Sequence, residues 1–331
     1  MIAPIDMKNT SKTPVFVVGQ PRSGSTILTR VLNDIPGLFI INDFYVLQKI
    51  DSNGLWKQLT CEQAHMIADW IYRIIEIRAA QEVGKTLEQP IHLTLDQLGE
   101  LKNSINKPWQ EGLLWHEVLS EVMSKAATLA GCDRWGYNTP QDHLHLERLF
   151  EVYPGCRVIF MLRNPEAVLA SYKNVSGWWH DPRRYNPVSI ALAWRAAARS
   201  YVLWSQRRPR QVELVHYEAF VTDPAATTRM LEPFLDASFS PVDLSSYGRN
   251  SSFSGSREKR RLHGAEIFLC EWIIGDFIER LDFQPSNRSG LSGSGILELL
   301  KVFFSSFQLL VTEYLFDRDM RTRLFRLLVH H

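Results

Sequence analysis

The feature that most constrains the fold is a short apolar run that ends in glycine and passes directly into a helix-forming segment. It reads VFVV (Val15–Val18), then GQPRSGST (Gly19–Thr26), then ILTRVL. A near-continuous run of β-branched and aromatic residues suits a strand buried on both faces, as in a parallel sheet. A glycine-bounded loop between such a strand and a helix N-terminus gathers backbone N–H groups, and the helix dipole adds partial positive charge. An anion cradle is therefore expected at this point; an ordinary Gly/Ser turn with an exposed arginine is the alternative. The spacing of Gly19 and Gly24 is that of a Walker loop, but Ser25 and Thr26 follow where lysine and a hydroxyl residue are required. The lysine that reaches a nucleotide γ-phosphate is missing. Arg22 lies inside the loop instead, and its guanidinium fork can hold two oxygens of a phosphate or sulfate.

Two further runs have strand character: RVIFML (Arg157–Leu162) after the turn string YPGC, and VELVHY (Val212–Tyr217) after RRPRQ. Longer helical patterns lie between them. Thr60 and Gln63 form a capping-box string, followed by Ala64, Ile67, Ala68, Ile71, Ile74 and Ile75 at helical spacing. Residues 111–130 predict a helix stopped by Gly131, and residues 187–207 a helix opened by Pro187. Alternation of this kind predicts an α/β fold: a P-loop-like central parallel sheet flanked by helices, with right-handed crossovers. The expected main domain is 1–285. A Gly/Ser-rich linker, SNRSGLSGSG, follows at 286–295, and an amphipathic helical extension at 296–331. In the extension Ile296, Leu299, Leu300, Phe303, Phe307, Leu310, Val311 and Tyr314 share one face. Glu298, Lys301, Ser305, Gln308 and Thr312 share the opposite one. That polar stripe argues against a membrane span. The helix is expected to pack on its own body or on a second copy in a homodimer; peripheral membrane contact, with Arg318, Arg321, Arg323 and Arg326 in the tail, is the alternative.

Composition bounds the partners. The 331 residues are 45% hydrophobic and 22% charged, enough apolar material for a sizeable core. Lys plus Arg number 37 against 36 acidic residues, a net charge of +1, which provides no global field for nucleic acid or membrane. The four cysteines (Cys61, Cys132, Cys156 and Cys270) form no CxxC pair, so neither a zinc site nor a disulfide scaffold is indicated. The N-terminus lacks the charged start and apolar core of a secretory signal. The expectation is a cytoplasmic protein without an integral membrane segment.

A second string, RNPEAVLAS (Arg163–Ser171), follows the run RVIFML. Arg163 falls at a strand's carboxyl end, where open α/β sheets bind ligands, and Ser171 two turns into the next helix. Together the two strings suggest a ligand with two separate phosphate groups. On these residues the chain resembles the sulfotransferases that use 3'-phosphoadenosine-5'-phosphosulfate (PAPS) as donor. GQPRSGST resembles that superfamily's 5'-phosphosulfate loop, and RNPEAVLAS its 3'-phosphate motif. The likeness continues through WGYNTPQDHLHLERLFEVYPGCRVIFMLRNP and VHYEAFVTDPAATTRMLEPFL, roughly Pro14 to Leu235, and is nearest to the branch that includes the protein-tyrosine sulfotransferases. It implies that Arg22, Ser23, Gly24, Ser25 and Thr26 cradle the 5'-phosphosulfate, with Arg22 and Thr26 nearest the sulfuryl group. Arg163 and Ser171 would hold the 3'-phosphate. Tyr217 is either the adenine contact or a core tyrosine. Within SREKRR (Ser256–Arg261), Lys259 and Arg260 either close over the 3'-phosphate or form a solvated face.

Asp43, in GLFIINDFYVL, stands where the related branch carries a glutamate, which makes it the candidate general base; a turn or cap role is the alternative. His116, His143, His145, His180 and His216 are reserve bases. Asn138 in GYNTP departs from the branch, which commonly has a lysine there to stabilise the leaving oxygen. Either Arg22 takes more of that role, or activity is lower, or another cation substitutes. Trp178 and Trp179, in GWWHDPRRYNP, line an acceptor wall or pack a loop. The resemblance implies metal-independent sulfuryl transfer to a hydroxyl or amine of a small-molecule acceptor such as a microbial natural product. A P-loop kinase or NTPase, and a catalytically inactive nucleotide-binding module, are the competing readings.

Overall fold

A computed structural model describes residues 13–80, 93–174, 185–244, 260–284 and 293–316. The first half of the chain runs β1 (Val15–Gly19), α1 (Ser25–Asn33), β2 (Leu38–Asn42), α2 (Val46–Ser52), α3 (Cys61–Ala80), α4 (Leu95–Ile105) and α5 (Trp115–Leu129). Then come β3 (Arg134–Asn138), a 3-10 turn (Pro140–His145), α6 (Leu146–Val152), β4 (Arg157–Leu162), α7 (Pro165–Asn174) and α8 (Pro187–Arg207). The last part holds β5 (Val212–His216), α9 (Tyr217–Thr222), α10 (Pro224–Leu235), α11 (Gly264–Ile274), α12 (Phe277–Arg280) and α13 (Gly293–Phe316).

The five strands form one sheet in the order β2-β3-β1-β4-β5, and every pairing is parallel. The three apolar runs read as strands are β1, β4 and β5. β2 and β3 add two that the sequence pattern did not single out. Alternation along β1 sends Phe16 and Val18 into a core with α3, α4 and α5, and Val15 and Val17 into a second core with α1 and α10. A third apolar cluster joins α7, α8, α11 and α12. This three-layer arrangement is the expected α/β architecture.

The order of the strands determines where a ligand can bind. From β1 the chain moves outward to β2, whereas from β4 it moves the other way to β5. The adjacent strands β1 and β4 thus form the topological switch point, and the crevice beyond their carboxyl ends is where open α/β sheets bind ligands. Gly19 stands opposite Met161 in that pairing. Its φ is +135°, and a Cβ there would lie 2.3 Å from the Met161 carbonyl oxygen, so only glycine fits.

The helix boundaries follow from local chemistry. Thr60 and Gln63 do form the reciprocal capping box that starts α3, at 3.0 and 3.2 Å. Helix α5 begins later than the pattern suggested, at Trp115, because Glu117 turns back to accept from the Leu114 N–H at 2.7 Å. Asn186 caps α8 by accepting from Val188 and Ser189, both at 3.1 Å. The first turn of α13 lies inside the Gly/Ser-rich stretch; the rest of that stretch and the tail after Phe316 are outside the described residues. Among the described residues no helix is long and apolar enough to cross a membrane.

Candidate active site

Helix α1 opens on Gly24, which has φ +91° and offers no side chain to cap the first turn. The orphan amide donors of that turn therefore face the crevice beyond β1. A Cβ on Gly24 would lie 2.4 Å from the Tyr217 ring, so the loop rests directly on that aromatic face. The other side of the arrangement is Arg163, whose guanidinium lies 4.5 Å from the centre of the same ring. Tyr217 begins α9 rather than ending β5. It braces the loop and Arg163 at once.

The two strings singled out in the sequence meet here. Nε of Arg22 donates to Oγ of Ser171 at 3.3 Å, across 149 residues of chain. Arg22 has φ +71°, an unusual conformation for a residue with a side chain. Burial draws its pKa below the ordinary arginine value; Tyr172 opposes that shift, and the nearby charge of Arg163 adds to it. The two guanidinium groups concentrate positive charge here, and Asp43 offsets part of it at Arg22. Among the buried polar atoms of the described residues that lack a hydrogen-bond partner within the protein are Ser23 Oγ and Arg163 Nε, on the two strings. Both can donate, so both suit an anionic ligand with separate charged groups. The end of α7 extends this wall: Asn174 Nδ2 donates to the Arg260 carbonyl at 3.0 Å, and its Oδ1 accepts from the Arg260 N–H at 2.7 Å. Lys259, Trp178, Trp179 and His180 lie outside the described residues.

On the other flank of β1, the carboxyl ends of β2 and β3 carry a network of side chains. Register places Asn42 beside Asn138. The Asn138 amide donates to Ser25 Oγ at 3.2 Å and to Asn42 Oδ1. Asn42 in turn donates to Thr26 Oγ1 at 3.4 Å and to Asp43 Oδ2 at 3.1 Å. Arg78, from α3, donates to the same carboxylate oxygen at 3.1 Å, while the Tyr45 hydroxyl lies 3.3 Å from Oδ1. Asp43 and Tyr45 both have positive φ, +51° and +41°. The β3 end holds this strained turn in place: the Phe44 N–H donates to the Asn138 carbonyl at 3.2 Å and the Tyr45 N–H to Thr139 Oγ1 at 3.1 Å. Donors meet both oxygens of Asp43, and Arg78 is partly buried beside it.

The reserve histidines take other places. His143 is fully enclosed, and desolvation lowers its pKa to about 3. His145 stacks near Trp56 at 5.4 Å. Burial also lowers the pKa values of His116 and His216, which pack against Tyr153 and Phe283 respectively. Sequence reasoning missed Asn42, Tyr45 and Arg78. Among the described residues no cluster of metal-ligating side chains occurs.

A family model described as "Sulfotransferase family" matches residues 14–241, well over half of the chain and all of the site just described except Arg260. The chain belongs to the sulfotransferase family. Solved structures similar to this sulfotransferase include the sulfotransferase domain of the Synechococcus PCC 7002 olefin synthase. It is 18% identical, covers 88% of this chain and 96% of its own, and has a TM-score of 0.45. The sulfotransferase domain from the curacin biosynthetic pathway is 16% identical over 83% of this chain and 99% of that one, with a TM-score of 0.47. A mouse sulfotransferase complexed with PAP is 14% identical over 94% and 86%, with a TM-score of 0.37. No curated protein matches the chain.

Proposed function

We propose that this sulfotransferase takes its sulfuryl group from PAPS and delivers it to a hydroxyl or amine of a small-molecule acceptor such as a natural product. The observation that carries this reading is the meeting of Arg22 and Ser171, with Arg163 alongside, at the β1–β4 switch point. A donor with phosphate at both its 5' and 3' ends uses both strings; ATP or GTP uses one. Arg22 and the amides of Ser23 to Thr26 take the 5'-phosphosulfate. Arg163 and Ser171 take the 3'-phosphate, with Arg260 on the adjoining wall; Lys259 is a candidate from its place in the sequence alone. Tyr217, packed between Gly24 and Arg163, is the candidate adenine contact.

The donor supplies an activated sulfuryl group, whose bond to the bridging oxygen breaks as the bond to the acceptor forms. Charge develops on the leaving oxygen in a loose, in-line transition state, by analogy with phosphoryl transfer. Fixed donors aimed at that charge do most of the work, and no metal ion is assigned a part. Arg22 is the cation for that charge, and Thr26 a neutral donor beside it. Asp43 accepts the acceptor's proton. Its ties to Asn42 and Arg78 fix its direction.

Asn138 favours a second reading, a donor-binding protein with weak or no turnover. Its amide is neutral and already committed to Ser25 and Asn42, and charge-assisted bonds are roughly twice as strong as neutral ones. Incubation with sulfur-labelled PAPS and a panel of phenols, alcohols and amines separates the two. Labelled product that persists in EDTA supports transfer. Tight PAP binding with no product across the panel supports the binding module, and magnesium-dependent ATP turnover would return the loop to the NTPase reading.

A further inference from the structure

Helix α13 packs across α8 and α11, and one side of it is fixed to the body. Asn186 Nδ2 donates to the Ser306 carbonyl at 3.0 Å, Ser306 is buried, and Val302 is partly covered on the preceding turn. A helix held to a body in this way ordinarily turns polar residues outward. Here Leu297, Leu300, Phe304, Phe307 and Val311 face solvent, each between 40% and 65% exposed. Their spacing is 3-4-3-4. That is the seam of a helix that meets another helix along its length, knob into hole. Trp272 on α11, the helix packed against α13, is 71% exposed as well.

We propose that this seam is the contact surface for a second copy of the chain, giving a two-fold dimer through paired α13 helices. A self-complementary apolar seam is the requirement for an isologous interface. The seam residues and the adjoining Phe303 expose on the order of 500 Å² of apolar surface, given about 150–250 Å² for a whole aromatic side chain. Two copies then bury about 1,000 Å², where specific interfaces begin. A patch of this size lies at the upper end of what monomers leave uncovered. Charge favours a protein partner over a lipid surface. From Gly293 to the end of the sequence there are five basic residues (Lys301, Arg318, Arg321, Arg323 and Arg326) and four acidic ones (Glu298, Glu313, Asp317 and Asp319), a near balance that gives little pull toward anionic headgroups.

Sedimentation velocity on the full chain at micromolar concentration is expected to give a dimer. The triple variant L300E/F304E/F307E is expected to sediment as a monomer with unchanged circular dichroism and PAP binding. The lysine counterpart L300K/F304K/F307K should also be monomeric, and an equimolar mixture of the two should recover the dimer, which a folding defect cannot do. A monomeric wild-type chain, or a dimer that survives either triple variant, overturns the proposal. So does a monomer that cosediments with phosphatidylserine vesicles, or one in which the thiol of Phe304→Cys resists maleimide, because lipid or the chain's own tail would then cover the face.

Discussion

On one side of β1 the site is made from contiguous sequence; on the other it is assembled from residues brought together by the sheet. The β4 side consists of an eight-residue loop and a nine-residue string, tied by the hydrogen bond between Arg22 and Ser171. The β3 side draws Ser25 from the loop, Asn138 from a strand 113 residues later, and Arg78 from a helix 35 residues beyond Asp43. The contrast has a physical origin. Anion binding by backbone amides needs a strand, a tight loop and a helix start in immediate succession, so it leaves a local motif. A side-chain network needs only that strand ends lie level, and its members can come from anywhere.

The comparison assigns donor recognition to the first half and proton handling to the second, and substitutions can separate the two. The largest effect is expected for Arg22→Ala, which removes the loop's cation and its tie to Ser171. We expect kcat/KM to fall about 10³-fold, at the upper end for loss of a transition-state donor. A drop below tenfold in steady-state assays would remove Arg22 from the chemistry. Asp43→Asn comes next, with kcat about 10²-fold lower and PAP affinity near wild type by calorimetry. Equal losses in both would merge the halves. Arg163→Ala is expected to raise the donor KM by about 10- to 100-fold, from the loss of a charged hydrogen bond of about 1.5–3 kcal/mol, with kcat largely kept.

Arg78→Met should have the smallest effect, about tenfold on kcat/KM and mainly in kcat, because it loosens the carboxylate it donates to. A loss confined to the acceptor KM in steady-state assays would mean that Arg78 serves the acceptor rather than Asp43.

The same contrast explains what could be read from the sequence. β1, β4 and β5 were legible as apolar runs, and α3 and α8 through the caps at Thr60 and the proline at position 187. β2 and β3 were not. Leu38–Asn42 runs straight into the turn at Asp43 and was read only for that carboxylate, and Arg134–Asn138 (RWGYN) contains glycine and an arginine that the fold buries by donating to the Thr13 and Leu235 carbonyls. Without those strands the alignment of Asn42 with Asn138 could not be seen, although two strands that both end in asparagine are a usable signal once recognised. Arg78 looked like an ordinary polar position on an amphipathic helix. Tyr217 was legible as a residue of interest, but its contacts with Gly24 and Arg163 come from the packing of α9 against the loop. For α13 the apolar stripe was clear in the sequence; that the fold leaves Leu300, Phe307 and Val311 of it exposed was not.

The central claim is that the two strings form one double-anion site. Isothermal titration of the purified chain with PAP, alongside ADP and ATP with magnesium, tests it most directly when repeated on Arg163→Ala. The account predicts tight PAP binding and much weaker binding of ADP, with the Arg163→Ala variant losing the preference for PAP while keeping its ADP affinity. Equal affinity for PAP and ADP, or a preference for ATP with magnesium, would contradict it.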